Sequence, residues 1–448
     1  MAEVEFGTDG LRGLANDAIT AEVALALGRA TARVLPAQRF IVGRDTRRSG
    51  PLLSAALAAG LATEGADVID VGVLPTPAVA HLCALNGAPG AVVSASHNPF
   101  FDNGIKVLAS GGLKLTDEVE ALIQAEMNSI LADADHAPRR PIGLDVGTIS
   151  TDETGALAYI EHLVTTLEPR GLAGIKVVVD CAHGAATPVA VTALSALGAE
   201  VIAIGDDPDG TNINDSVGST HPEALCAAVI EHGAHLGLAL DGDADRLVAV
   251  DHLGRVLDGD VLIALFARDL KERGTLSGDA VVVTVMSNLG FHRAMEAAGI
   301  AVRQVAVGDR NVLVALDSEG LSLGGEQSGH VIFRQRSTTG DGLLTGILLA
   351  DLVRRSGLDL ASLAEGAVTL YPQVLRAVPV ADTSMLEANE AVTSRIAATR
   401  DELGAQGRVL VRASGTEPVV RVMVEAADAE TAQRLADDLV DLIARTLG

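Results

Sequence analysis

The sequence predicts an α/β protein: three related α/β domains followed by a smaller α+β domain. Three observations carry that reading. Short apolar runs rich in Val and Ile alternate with Ala-rich helical stretches along most of the 448 residues. The order strand, helix, strand, helix, strand occurs three times, and each third strand ends in a polar loop. After about residue 371 the rhythm changes, with strands bunched between helices. A chain this long exceeds one typical core and suits about three domains, give or take one.

The first repeat runs from the strand "RFIVGRD" through the helix "SGPLLSAALAAGLATEGA" to the strand "DVIDVG", then another helix and "GAVVSAS". The second places "IKVVVDCAHG" before the helix "TPVAVTALSALGA", then "EVIAIGDDPDG", a helix from His221, and "LGLALDGDADR". The third places "DAVVVTVMSNLG" before the helix "FHRAMEAAG", then "AVRQVAVGDRN", a helix, and "LSLGGEQSGH". The C-terminal part reads as a strand at "VLRAVPV", a long helix, the strands "RVLVRASG" and "PVVRVMVEA", and a terminal helix. Boundaries fall near 150, 254 and 370, giving domains 1–150, 151–253, 254–370 and 371–448. In open parallel sheets ligands gather at the carboxyl ends of strands, so the loops "SASHNP", "DGDADR" and "GGEQSGH" can face one cleft.

Charge narrows the functional classes. Lys plus Arg number 33 against 59 for Asp plus Glu, a net charge of −26. That balance disfavours nonspecific nucleic-acid binding and attraction to anionic membranes. An anionic substrate would then need a local cluster of Arg or Lys. Cys83, Cys181 and Cys226 are odd in number, widely spaced and set among apolar neighbours, which reads as free thiols in a reducing cytosol. "MAEVEFGTDG" lacks the basic and apolar regions of a signal peptide, and the uncharged stretch from Val71 is broken by Pro75, Pro77, Gly87 and Pro89. The expectation is a soluble cytoplasmic protein.

Four loops carry chemistry. "SASHNP" stops an apolar strand to display Ser96 beside His97; Ser96 there is a nucleophile, a metal-bound group or a turn residue. "DGDADR" sets Asp241, Asp243 and Asp245 at every second position after an apolar strand. Carboxylates so close repel unless a cation compensates, and Arg246 and His252 stand where an EF-hand needs Gly and Glu. A hard cation with oxygen ligands, Mg2+, suits them and leaves positions open for a phosphate oxygen. "RASGTEPVVR" flanks a turn of small residues with Arg412 and Arg421, whose forked donors match phosphate. The weaker loop "GGEQSGH" adds Glu326 and Ser328 for sugar hydroxyls and His330 to move a proton, or is an ordinary polar loop. Near the N-terminus Arg12, Arg44, Arg47 and Arg48 supply cations, some of them salt-bridge partners. Lys106 is one of only four lysines.

Together these motifs resemble the α-D-phosphohexomutase superfamily along essentially the whole chain. "SASHNP" is similar to its phosphoserine loop, "DGDADR" to its metal loop, "GEQSGH" to its sugar loop and "RASGTEP" to its phosphate loop. The wording "FGTDGLRG", "GRDTRRSG", "GVLPTPAVA", "SASHNPFFDNGIKVL" and "GSTHPE" is similar to a bacterial branch acting on glucosamine 6-phosphate; a mannose or glucose phosphate is the alternative substrate. "VVDCAHGAAT" and "NDSVGSTH" depart from the family wording. The resemblance implies three α/β/α domains with mixed sheets plus a smaller C-terminal α+β domain around a central cleft. It implies that Ser96 carries the transferable phosphate, with one Mg2+ per chain held by Asp241, Asp243, Asp245 and that group. Arg12, His97, Lys106, Arg246 and His330 take catalytic roles, Lys106 and His330 as acid–base groups. Gly308, Asp309, Arg310, Glu326 and Ser328 bind substrate, and Arg412, Ser414, Gly415, Thr416 and Arg421 grip the nontransferring phosphate. It further implies a hexose 1,6-bisphosphate as intermediate and activator, a product consumed in UDP-N-acetylglucosamine and cell-wall synthesis, and room for a homodimer. A serine hydrolase built on Ser96 and His97 is the rival class, against which stand their adjacency and the lack of a GxSxG elbow. A catalytically inert phosphosugar-binding regulator is the other rival.

Overall fold

The computed structural model describes residues 5–7, 10–132, 140–414 and 418–448. Contacts divide the chain into two units: residues 1–285 with 303–366, and residues 286–302 with 367–448.

Three sheets share one plan. In the first, Asp67–Val73, Arg39–Arg44, Gly90–Val93 and Asp102–Ala109 lie side by side, the first three parallel and the last antiparallel. Leu11–Leu14 and Ile149–Thr151 close its edges, and Leu113–Lys114 pairs beside Asp102–Ala109. In the second, Glu200–Ile204, Lys176–Asp180, Leu236–Leu240 and Leu247–Asp251 repeat that order and those directions, with Val256–Leu257 at the end. The third runs Ala301–Val305, Ala280–Thr284, Leu323–Gly325, Val331–Phe333, again with an antiparallel last pair. In each sheet the second strand pairs outside the first and the third inside it, so the chain reverses between first and third strands. That reversal opens a crevice at their carboxyl ends.

The inner strands are apolar on both faces because helical crossovers connect parallel neighbours. Gly90–Val93, Leu236–Leu240 and Ala280–Thr284 are buried at every position. Two helices are shorter than the sequence suggests. "TPVAVTALSALGA" is helical only over Ala190–Ala196, since Pro188 restricts Thr187 and turns occupy the preceding residues. The helix expected from His221 is Glu223–His232, with Pro222 at its cap.

The second unit contains an antiparallel sheet in the order Gln373–Pro379, Val419–Glu425, Arg408–Ala413. The helix Ala429–Leu447 covers it with Ala432, Leu435, Ala436, Leu439 and Ile443, a stripe at helical spacing. Helix Leu289–Ala297 joins this unit although it lies between strands of the third sheet in sequence. Buried Glu425 explains the attachment. It accepts from the Leu289 N–H at 2.9 Å, Gln373 Nε2 at 2.8 Å and Arg408 Nε at 2.6 Å.

Candidate active site

The loops "SASHNP", "DGDADR" and "GGEQSGH" each join the third strand of their sheet to the antiparallel fourth. Each needs a left-handed residue to turn back so sharply: Ser96 at φ 51, Ala244 at φ 57 and Gly329 at φ +95. A side chain at 329 would also place its Cβ 2.1 Å from the Leu247 carbonyl oxygen.

The loops meet. Ser96 Oγ, at a residue 1% exposed, donates to Asp241 Oδ2 at 2.5 Å. One carboxylate oxygen from each of Asp241, Asp243 and Asp245 lies within 4.8 Å of the others, all three residues being buried. Lys106, on the antiparallel strand opposite Val92, donates to Asp243 Oδ2 at 2.7 Å and Asp245 Oδ2 at 3.2 Å. Thr76 Oγ1 donates to the same Asp243 oxygen at 2.6 Å. The Arg246 N–H caps Asp241 Oδ1 at 3.1 Å. Asp243 Oδ1 and Asp245 Oδ1 are buried with no hydrogen-bond partner.

Those two orphaned oxygens decide whether a cation suits the site. A buried carboxylate oxygen without a partner costs about 1–3 kcal/mol or more, and one divalent ion satisfies both at once. Only oxygen ligands are offered, which favours a hard cation. The triad therefore fits a metal site. Without an ion, burial and then the charges of Asp245 and Asp243 push the Asp241 carboxyl up to about 8. Burial pushes Asp245 the same way, but Lys106, His330 and Arg246 together outweigh it and hold that carboxyl well below its usual range.

His330 reaches the triad from the third loop, with Nδ1 3.7 Å from Asp245 Oδ1 and Nε2 3.5 Å from Asp309 Oδ2. Burial opposes charge on this ring, the carboxylates favour it, and the net shift is upward. The Gly340 N–H, 3.0 Å from Nε2, requires a lone pair there, so the geometry is that of the neutral ring with its proton on Nδ1. His97 is pushed down to about 4 by burial, then by Arg246 and Arg12. Its Nδ1 stands 3.2 Å from Ser96 Oγ. Adjacency thus does not keep this pair apart, because the left-handed backbone at Ser96 folds the two side chains together. The closer partner of the hydroxyl is nevertheless Asp241.

Other site candidates divide by environment. Glu326 Oε1 accepts the Gly308 N–H at 3.1 Å, and Ser328 is exposed at the turn. Asp309 is ion-paired with Lys114, and Arg310 is engaged by Asp117 and Glu120. Arg12 lies on the edge strand opposite Gly104. Arg47 is fully buried against Asp45 and donates to the carbonyls of Ser96 and Asn98, both at 2.8 Å, and to that of Pro99; Arg44 pairs with Asp70.

In the second unit, Arg412 and Arg421 stand directly opposite each other across an antiparallel pair. Burial, then the charge of Arg421, lowers the Arg412 guanidinium from its usual value. Like charges so placed repel, and an anion between them reverses the sign. The Ser414 N–H bonds the Val419 carbonyl at 2.9 Å, closing the turn; Gly415 and Thr416 lie outside the described residues.

Sequence reasoning missed Thr76, Asp45 and Asn214, which touch the serine or metal loops from elsewhere in the chain. The polar Thr between two prolines in "LPTPAVA" was the one local signal; partners this remote in sequence are brought in by the fold.

Family models for phosphoglucomutase/phosphomannomutase match in order: α/β/α domain I over 3–133, domain II over 157–254, domain III over 258–371, and the C-terminal domain over 375–442. The chain belongs to the phosphoglucomutase/phosphomannomutase family and is an enzyme of the isomerase class, a mutase. Among its relatives, proteins named phosphoglucosamine mutase share 52% identity over 446 residues in Rhodococcus jostii, covering 98% of this chain and 99% of that one. In Nocardioides sp. the identity is 53% over 451 residues, covering 99% of each. A phosphoglucomutase/phosphomannomutase family protein of Burkholderia thailandensis superposes with TM-score 0.80 at 29% identity, over 98% of this chain and 97% of that one. An Aspergillus fumigatus N-acetylphosphoglucosamine mutase, solved with GlcNAc-6P and magnesium, has TM-score 0.71 at 18% identity, over 99% and 96%, and shares the fold.

Proposed function

We propose that the enzyme interconverts glucosamine 6-phosphate and glucosamine 1-phosphate, with Ser96 as the phosphoryl carrier. One observation carries the chemistry: Ser96 Oγ sits 2.5 Å from Asp241 Oδ2, beside the orphaned Oδ1 atoms of Asp243 and Asp245. The choice of sugar rests on the relatives named phosphoglucosamine mutase at 52–53% identity.

Asp241, Asp243, Asp245 and the phosphorylated Ser96 would hold Mg2+, which supplies charge neutralisation on the transferring oxygens. The Ser96 O–P bond breaks as a sugar hydroxyl takes the phosphoryl group, giving a 1,6-bisphosphate; the hydroxyl proton passes to an acid–base group, Lys106 or His330. The bisphosphate turns round, its other phosphoryl group returns to Ser96, and the proton goes back to the freed sugar oxygen. Phosphoryl transfer needs little covalent help, so positioning and charge supply most of the rate. Arg246 and Arg12 stabilise the moving group, Glu326 and Ser328 hold sugar hydroxyls, and Arg412, Ser414 and Arg421 form a phosphate grip. A hexose 1,6-bisphosphate would prime Ser96. No described helix is long and apolar enough to cross a membrane, and all three cysteines are free, so we assign the enzyme to the cytoplasm.

The test is turnover of glucosamine 6-phosphate against mannose 6-phosphate and glucose 6-phosphate at equal concentration. The largest kcat/KM is expected for the amino sugar; a preference for either neutral sugar would overturn the substrate reading.

A further inference from the structure

Asn214 opens the "NDSVGSTH" stretch, to which the reaction above assigns nothing. The loop that carries it is built onto the second sheet. The Asn214 N–H bonds the Ala182 carbonyl at 2.9 Å, the Gly218 N–H bonds Asp180 Oδ2 at 2.7 Å, and the Ser219 N–H bonds the Leu240 carbonyl at 2.9 Å. Asp180, Ala182 and Leu240 all lie at the carboxyl ends of inner strands or just beyond. Asn214 itself is left-handed at φ 58, a conformation Asn tolerates, and is 8% exposed. From this anchored position its Nδ2 crosses to the first domain and donates to the carbonyls of Ser96 at 2.9 Å and Asn98 at 3.1 Å. Arg47 donates to the same two carbonyls from the first domain, both at 2.8 Å. Gly242, between two metal-loop carboxylates, leaves room for this: a Cβ there would lie 2.6 Å from the Ser96 oxygen and 2.9 Å from Asn214 Nδ2.

We propose that Asn214 is a positioning residue for phosphoryl transfer, its side-chain amide fixing the serine loop against the second domain so that Ser96 Oγ is presented to the metal carboxylates. The proposal rests on the reading of Ser96 as phosphoryl carrier. Arg47, with the Ser94 hydroxyl on Asp45 and the Ser94 N–H on the Gly104 carbonyl, ties the loop to its own domain, whereas Asn214 ties it to the domain that supplies Asp241, Asp243 and Asp245. Lys106 and Thr76 hold the two domains together at the triad, and this amide holds the serine loop in that arrangement. Its Nδ2 is committed to two backbone carbonyls of the serine loop, so its loss should slow the transfer step and leave binding alone.

Asn214→Asp keeps the shape and tolerates the left-handed backbone, but turns the donor into an acceptor facing two carbonyl oxygens. Asn214→Gly keeps the backbone and removes the amide. For variants of wild-type Tm at saturating Mg2+, kcat should fall about tenfold for the Gly variant and more for the Asp variant, with KM changed less than about threefold. If Asn214 merely fills space, the order reverses and the isosteric Asp variant works best. Wild-type kcat in Asn214→Asp, that reversed order, or a rise confined to KM would overturn the proposal. Should Asn214→Asp fail to fold, kcat in Asn214→Gly within twofold of wild type has the same force. Mapping the labile phosphate of the wild-type protein separates the two levels: phosphate on a residue other than Ser96 removes the carrier reading, whereas phosphate on Ser96 with unaffected variants removes only the role of Asn214.

Discussion

Ser96 combines three constraints: a left-handed backbone, near-complete burial and a 2.5 Å hydrogen bond to a carboxylate. Strain of this kind costs about 1–3 kcal/mol and persists only where surrounding contacts impose it; here Arg47, Asn214 and the Ser94 hydroxyl do so. Ser96→Ala should keep its fold and lose nearly all turnover. Intact-mass and peptide analysis of the active wild-type protein should place one labile phosphate on Ser96, and its appearance on Ser94 or Ser414 would refute the assignment. Among the aspartates, Asp243 offers the cleaner test, since its Oδ2 is already taken by Lys106 and Thr76 and its Oδ1 is left over. Asp243→Asn removes a formal charge at nearly constant shape. Titration calorimetry with Mn2+ as the probe should show affinity weakened at least about tenfold, the lower range seen when a metal site loses a supporting group. Unchanged Mn2+ affinity would remove Asp243 from the ligand set.

At the scale of elements, the helix Gly342–Ser356 follows the third sheet in sequence and meets the metal loop, the Gly342 N–H bonding the Ala244 carbonyl at 3.0 Å. Its N-cap Asp341 accepts from the Leu344 N–H and from the Tyr159 hydroxyl, both at 2.9 Å, and is 2% exposed. Burial, opposed by those hydrogen bonds, raises this carboxyl to about 6. A raised carboxyl is favoured in its neutral form by the fold. Its contribution is fully present below the unfolded value near 4 and is lost as pH rises through about 6. Asp341→Asn, which cannot ionise and keeps an acceptor oxygen, should therefore melt increasingly above wild type as pH rises from about 4 to about 6, with a flat difference above about 7. The ceiling is about 3 kcal/mol for a two-unit shift. A difference in Tm independent of pH would show that Asp341 keeps its charge and acts as an ordinary cap.

The molecule as a whole divides where linear reading does not. The sequence pattern assigns residues 286–302 to the third repeat, and the contacts assign them to the C-terminal unit. Glu425 is the reason, since its buried carboxylate receives Arg408, Gln373 and the Leu289 N–H. Removing one member of a buried, hydrogen-bonded ion pair leaves the other charge uncompensated, at about 3–5 kcal/mol. Glu425→Ala should lower the Tm of the transition that unfolds the C-terminal unit. Hydrogen exchange should speed up at residues 289–297 while the Leu236–Leu240 strand stays protected. Equal loss of protection in both places would mean that the two units unfold together.

The sequence by itself determined the recurring strand–helix order, the three loops, and the chemical type of each group they display. Local chemistry suffices for these: strand and helix periods differ, Gly and Pro mark the turns, and three carboxylates in five residues between apolar strands point to a cation. Which oxygen of which aspartate stays free for that cation was decided by the tertiary structure. Lys106, from a strand of the first sheet, and Thr76, at the start of the helix Thr76–Asn86, take the others. The Asn214 amide over Ser96, 118 residues away, and the transfer of Leu289–Ala297 to the C-terminal unit were likewise decided there. The physical reason is common to all three. A buried polar atom must find a partner, and once the strands are folded the nearest one belongs to whichever segment the topology has brought alongside, a pairing that no local pattern records.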